Sequence, residues 1–295
     1  MSKAVILLNM GAARSAPELK QFLYQMFKDK RIIDSPVRHL LAPVIAQTRY
    51  KKVWKKYELI GGSRLYDITR SLSQKLEKRL GYDVKYAMRY TSPYINEVIS
   101  NYDELILLPL YPQYSTTTVE SSLDAFNKTG FKGKLQIVKP FYQSEDFNKL
   151  IANKILTKTP EPSSYHLILT AHGLPQKIVD KGDPYEQQIK QQVQLLSAYL
   201  PQFKSIRLAY QSRFGNSPWL QPYLDDIIPD YKDEKVIVYP LSFMIDNSET
   251  DLELKIEYAE LAQKHGVKSF QVVSCPNDSD ETVEFLTKLI RQYDQ

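Results

Sequence analysis

One histidine and a row of three glutamates are the residues whose types and spacing can move protons and guide a divalent cation. His172 ends the apolar run Leu167-Ile168-Leu169-Thr170-Ala171, and Gly173 and Pro175 break the chain just after it. A parallel strand delivers a side chain to the carboxyl edge of an open α/β sheet in this way, and ligands bind at that edge. Of the four histidines, His39, His166, His172 and His265, only His172 has this setting. A lone histidine is more often structural than catalytic, but imidazole titrates near neutrality and can take a proton from a substrate. Glu249, Glu253 and Glu257 follow a second apolar run, Val236-Ile237-Val238, at i, i+4, i+8. On a helix they share one face. Like charges at that spacing repel mildly, so the row suggests a cation, proton traffic or a solvated face relieved by Lys255 and Lys264. Beside His172, such carboxylates suit Fe²⁺ better than a structural zinc. There is no HExxH and no cysteine pair, so the metal is expected to pass through as a substrate.

The composition excludes several classes. The chain has 295 residues, 43% hydrophobic and 25% charged, which allows one large domain or two smaller ones. The single cysteine, Cys275, cannot form an intramolecular disulfide, and it cannot build a four-cysteine metal or iron–sulfur site. It fits a reducing compartment. No apolar run approaches the length of a membrane span. The short run after Met1-Ser2-Lys3 reads as a first strand rather than a signal peptide. A net charge of +5 does not argue for nucleic acid. The 21 tyrosines suit the rim of a large flat apolar pocket, or reflect the bias of the source proteome.

The elements that must position these groups alternate in type. Apolar runs at 4–8, 84–88, 105–110 and 135–138 predict buried strands. Helical spacing is expected over 17–28 and 67–80, the latter stopped by Gly81, with a further helix starting at 121–126. Between the first two lies Leu40 to Ala46, then Arg49, Lys51, Lys52, Lys55 and Lys56 interleaved with Tyr50, Trp54 and Tyr57. This is the pattern of a membrane-surface contact or an anion-binding lip, or of a solvated helix with Trp54 buried. Gly61-Gly62-Ser63 marks a tight turn. Thr157 to Tyr165, with two prolines and two serines, reads as a linker. It separates an expected domain at 1–156 from one at 157–295, whose last helix is expected to return to the first domain.

The second half repeats the first. Leu167–Gly173 takes the place of Ile6–Gly11. Leu208 to Trp219 parallels Tyr86 to Tyr94, and Val236 to Phe243 parallels Leu107 to Pro112. A duplicated β/α domain follows. The expected fold class is therefore α/β, two similar Rossmann-like domains, each a parallel sheet flanked by helices, with the site in the cleft between them.

Ordered blocks throughout the chain resemble the ferrochelatases, of the bacterial protoporphyrin type. They are Leu8-Asn9-Met10-Gly11, Leu41-Ala42-Pro43-Val44-Ile45-Ala46, Ile60-Gly61-Gly62-Ser63, Arg89-Tyr90, Leu108 to Ser115, Ala171-His172-Gly173-Leu174-Pro175, Gly182-Asp183-Pro184-Tyr185, Tyr210-Gln211-Ser212 with Trp219, and Asp246 to Thr250. The resemblance implies insertion of Fe²⁺ into protoporphyrin IX with release of two protons, the last step of haem synthesis. It implies catalytic roles for His172 and Glu249, and metal contacts from His172, Glu249, Glu253 and Glu257. Met10, Arg89, Tyr90, Ser212, Trp219 and Phe243 would bind the porphyrin, with Arg49 and Ser63 as propionate partners. It further implies no permanently bound cofactor, no iron–sulfur cluster, a cytoplasmic location, and peripheral contact with the inner face of a membrane.

Three positions depart from the family pattern. Asn247 stands where a histidine is frequent. Arg64 follows a shortened glycine turn. Ala12-Ala13 replace Gly-Pro. Other readings are a chelatase for another metal or for coproporphyrin, and a porphyrin or haem carrier without catalysis. Met10, where the coproporphyrin type tends to carry tyrosine, weighs against coproporphyrin, and Asn247 weighs towards the carrier.

Overall fold

The computed structural model describes residues 2–215 and 217–294. In chain order the main elements are β1 (Lys3–Asn9), α1 (Ala16–Lys28), α2 (Arg38–Glu58), α3 (Leu65–Leu80), β2 (Asp83–Met88), α4 (Ile95–Val98), β3 (Glu104–Pro109), α5 (Ser121–Asn127) and β4 (Lys134–Ile137). They continue as α6 (Glu145–Lys158), β5 (Tyr165–His172), α7 (Gln176–Asp180), α8 (Tyr185–Tyr199), β6 (Ser205–Gln211), α9 (Leu224–Ile227), β7 (Lys235–Pro240), α10 (Tyr258–Lys264), β8 (Ser269–Val272) and α11 (Asp280–Arg291). A π-helical turn, Thr116–Glu120, runs into α5, and a longer π-helix, Glu249–Glu257, runs into α10.

Two units emerge, with residues 1–111, 115–139 and 277–295 in one and 112–114 and 140–276 in the other. The change-over at 139/140 precedes α6, so this helix belongs to the second unit, whereas composition alone suggests a boundary near 156. The first unit also takes α11. That helix packs on α3, where Ser71 and Lys75 hold Asp278 just before it.

The sheets are parallel and have the same order, β2-β1-β3-β4 and β6-β5-β7-β8. The inner strands are nearly continuous apolar runs because helices cover both faces. β1 is buried from Ala4 onward, and β7 from Val236 onward.

Register makes the duplication concrete. Leu8 lies opposite Ala87 and Pro109, and Thr170 lies opposite Ala209 and Pro240. Counting two residues on, Met10 and His172 occupy the same place in the two units. After the second strand of each, Met88 N–H donates to Pro93 C=O and Tyr210 N–H to Pro222 C=O, both at 2.8 Å. Tyr94 and Tyr223 then stand at the starts of α4 and α9. The structural partner of Tyr94 is therefore Tyr223, not Trp219. Residues 89–92 separate one pair and 211–221 the other, so the second unit carries an insertion here, and Trp219 lies in it.

The 40–56 segment is helical. α2 pairs with α1 through Leu19, Leu23, Phe27, Ala42, Ala46 and Tyr57. Leu40 and Val44, 73% and 59% exposed, stay on its open side. Gly61 and Gly62 adopt φ of +67° and +91°, and Gly62 N–H returns to Tyr57 C=O. They terminate α2, as left-handed glycines do.

Candidate active site

The strand-end histidine is fixed by its backbone before its side chain is considered. His172 N–H donates to Ser242 Oγ at 3.1 Å, and its carbonyl accepts from Tyr185 Oη at 2.9 Å. Burial pushes the Tyr185 phenol well up, so it remains a donor. Gly173 N–H donates to Gln211 C=O at 2.9 Å, and a Cβ there would stand 3.1 Å from that oxygen and 3.4 Å from the Trp219 ring. The glycine lets β6 and the inserted loop close in. That loop pairs with the segment after His172, Leu220 N–H to Leu174 C=O and Gln176 N–H to Pro218 C=O. The pairing brings the Trp219 ring edge-on to the imidazole, 6.5 Å between centroids at 69°.

The side chains form a chain of hydrogen bonds. His172 Nδ1 is 2.7 Å from Glu249 Oε2. The Ser212 hydroxyl is 3.2 Å from the same Glu249 oxygen and also bonds Glu253 Oε2. Ser212 holds φ of +66°, an uncommon conformation for a non-glycine residue. It puts the hydroxyl between the two carboxylates. With its Nδ1 proton on Glu249, neutral His172 keeps the Nε2 lone pair as a proton acceptor.

Enclosure alone would lower the His172 pKa, but the Glu249 charge and hydrogen bond outweigh it. The imidazole titrates above its ordinary 6.5. Burial would raise Glu249, but His172 and Ser212 hold it below the usual range. Burial and then the Glu249 charge push Glu253 up to about 7. The row therefore has an ionised first member and a second member that shares a proton near neutral pH. In Glu249→Gln the enclosure acts on His172 against the weaker Glu253 charge alone. Its titration in ¹⁵N-histidine NMR is expected to move to lower pH, and the acid limb of activity, set by loss of the free base, moves with it. An unchanged titration would show that the Glu249 charge does not act on the imidazole.

The π-helix shapes the acidic row. Its i→i+5 bonds widen the turn beyond the 3.6 residues of an α-helix, and residues four apart stay close to one face. Glu257 continues the row, partly buried. Among the described residues no three His, Cys, Asp or Glu side chains converge to hold a metal. His172, Glu249, Glu253 and Glu257 therefore do not surround one point.

Asn247 is a structural cap. Its Oδ1 accepts from Glu249 N–H at 2.8 Å, and its Nδ2 donates to Ile245 C=O at 3.1 Å. The residue is buried, so its amide serves the loop. Asn247→Ala is expected to destabilise the fold by about 1 kcal/mol, the usual value of an N-terminal cap, lowering Tm by roughly 2 °C. Calorimetry showing no change would remove the capping role.

The remaining expected residues divide. Phe243, after β7, is half-buried, as is Met10 at the end of β1. Arg49 is exposed on α2. Ser63 Oγ accepts from Leu65 N–H at 3.4 Å, at the start of α3. Arg89 and Tyr90 are tied down. Arg89 Nη2 lies 2.7 Å from Asp29 Oδ2, and its Nε reaches Ser121 Oγ at 2.8 Å. Tyr90 is fully buried with its hydroxyl 3.0 Å from Asp29. The expectation that Tyr90 forms a ligand wall does not fit that burial. Sequence reasoning assigns no functional role to Asp29, Tyr185 or Ser242. They act through contacts distant in the chain, which periodicity does not display.

The model for the family described as Ferrochelatase matches residues 2–294. The chain belongs to the ferrochelatase family. Proteins named ferrochelatase from a Nitratiruptor species and from Campylobacter concisus are 41% and 42% identical to it. The matches cover 98% and 97% of this chain, and 99% and 96% of theirs. The Helicobacter pylori ferrochelatase is 38% identical, over 98% of this chain and 93% of its own. Among solved structures, SirB from Bacillus subtilis with Fe³⁺ aligns with a TM-score of 0.60 at 10% identity, covering 99% of this chain and 95% of that one. CbiX, the terminal enzyme of sirohaem biosynthesis in denitrifying bacteria, aligns at 0.55 and 10%, covering 98% of both. At such identity these two show the shared two-domain chelatase fold. The family makes this chain an enzyme that inserts a metal into a porphyrin, in the last step of haem biosynthesis.

Proposed function

We propose that the chain inserts Fe²⁺ into protoporphyrin IX, with His172 taking the pyrrole protons and Glu249 stabilising the imidazolium that results. The observation that carries this reading is the 2.7 Å bond from His172 Nδ1 to Glu249, which leaves Nε2 free to act as a base. Replacing two N–H protons by Fe²⁺ keeps the macrocycle neutral, so both protons must leave. The hydroxyl of Ser212, bonded to Glu249 and Glu253, supports an exit along the row.

Trp219, Phe243 and Met10 supply apolar contact for the ring, and binding energy spent there can support the out-of-plane bending that exposes the pyrrole nitrogens. Arg49 and Ser63 are assigned to the propionates. Arg89 and Tyr90, both on Asp29, are assigned to supporting their own segment. Glu253 and Glu257 guide the incoming ion. The metal is substrate, and no resident cofactor or iron–sulfur cluster is needed.

The reading includes a cytoplasmic location, supported by one buried cysteine. It also includes contact with a membrane surface through Leu40, Leu41 and Val44 of α2. These are exposed apolar residues on a helix that carries Lys51, Lys52 and Lys55. No helix among the described residues is long and apolar enough to cross a membrane.

Anaerobic kinetics with Fe²⁺ should give kcat/KM for protoporphyrin IX about tenfold or more above that for coproporphyrin, which carries two extra carboxylates into an apolar surround. A preference for coproporphyrin would reverse the substrate assignment.

A further inference from the structure

The first unit holds a cavity of about 430 Å³ at the carboxyl ends of β1 and β2. This is the size that takes a small organic ligand, at the edge where open α/β sheets bind one. Leu8, Ala87 and Ile95 form apolar lining and belong to a buried cluster under the sheet. Two cations, Arg89 and Lys128, line it, and no acidic residue does. Arg89 spends Nε on Ser121 and Nη2 on Asp29, and Nη1 makes no hydrogen bond among the described residues. Asn9 gives its Oδ1 to Met10 N–H, leaving its Nδ2 as a donor.

The duplicated unit provides an internal comparison. By register, Gln211 and Asp225 of the second unit replace Arg89 and Asn96. The arginine at this strand end is thus particular to the first unit; in the second, Arg213 from the insertion is instead spent on Asp225.

We propose that this cavity binds a carboxylate carried on a compact apolar body, the carboxylate on Arg89 Nη1 and Lys128 Nζ and the body over Leu8, Ala87 and Ile95. Benzoate has this chemistry. The ligand is a free small acid, held separately from the porphyrin. The site goes beyond the metal-insertion reading and does not depend on it.

Methyl-¹³C methionine NMR of the full chain tests it, because Met88 lines the cavity while Met244 lies in the other unit. Titration with benzoate should shift Met88 saturably in the millimolar range and leave Met244 unmoved. Benzyl alcohol should not reproduce the shift. Lys128→Glu, at an exposed position, should weaken binding about tenfold or more, the loss expected when a charged partner is reversed. Ala125→Phe should fill the space and abolish the shift. An unmoved Met88, an equal response to benzyl alcohol, or full affinity in both variants would overturn the proposal. Saturating protoporphyrin IX should leave the benzoate shift intact. Displacement by the porphyrin would identify the cavity as a propionate seat and overturn the separate site.

Discussion

His172→Ala is expected to slow metal insertion by about 10²- to 10⁴-fold, the range for removing a positioned general base, while porphyrin binding persists. The separation of the two effects follows from the geometry. The backbone of His172 is held by Ser242 and Tyr185, and neither contact involves the imidazole. The side chain is 36% exposed, so its removal opens little enclosed space and the fold should survive. What disappears is the Nε2 lone pair and the cation that Glu249 would stabilise. Quenching of tryptophan fluorescence reports porphyrin binding, and the Soret band reports metallation. Added imidazole should recover part of the rate. Retention of the wild-type rate would exclude the proton-acceptor role, and loss of porphyrin binding would make His172 a binding residue instead.

Glu249→Gln should cost on the order of 10²-fold in rate, while Glu257→Gln stays within a few-fold. Removing the carboxylate that orients a catalytic histidine costs up to about 10⁴-fold in serine proteases. The smaller figure here allows for Glu253, whose charge still acts on the imidazole without touching it. Glu249 touches His172 directly, and Glu253 reaches it only through Ser212 and Glu249. Glu257 stands one helical turn beyond Glu253. Each step away from His172 should therefore matter less. Equal losses at Glu249 and Glu257 would mean that the row is only a solvated face.

Much of this arrangement is legible in the sequence, and for physical reasons. Buried parallel strands are long apolar runs, and the residues that end them stand at the binding edge, so His172 and Met10 can be placed from pattern alone. The repeat of strand ends predicts the common sheet order. The π-helix is not legible, because glutamates four apart share a face in an α-helix as well. Local spacing does not distinguish i→i+4 from i→i+5 bonding. Sequence pattern matches Trp219 to Tyr94 because Ser-Pro precedes both. The strand register matches Tyr223 instead, and only hydrogen bonding reveals the insertion. Tyr90 reads as a wall residue beside Arg89, but its partner Asp29 lies 61 positions away. A buried carboxylate at that separation leaves no local mark. The same holds for Ser212, whose left-handed backbone and two carboxylate partners emerge only once β6 and the π-helix are set side by side.

Removal of the pyrrole protons and delivery of the metal are the two acts that separate an enzyme from a carrier. The most direct measurement is anaerobic rapid mixing of the wild-type protein with protoporphyrin IX and Fe²⁺, following the Soret band together with proton release. The wild-type protein is expected to turn over repeatedly to protohaem, with two protons released for each porphyrin metallated. Stoichiometric porphyrin binding with no metalloporphyrin formed would contradict it, and would make the chain a carrier.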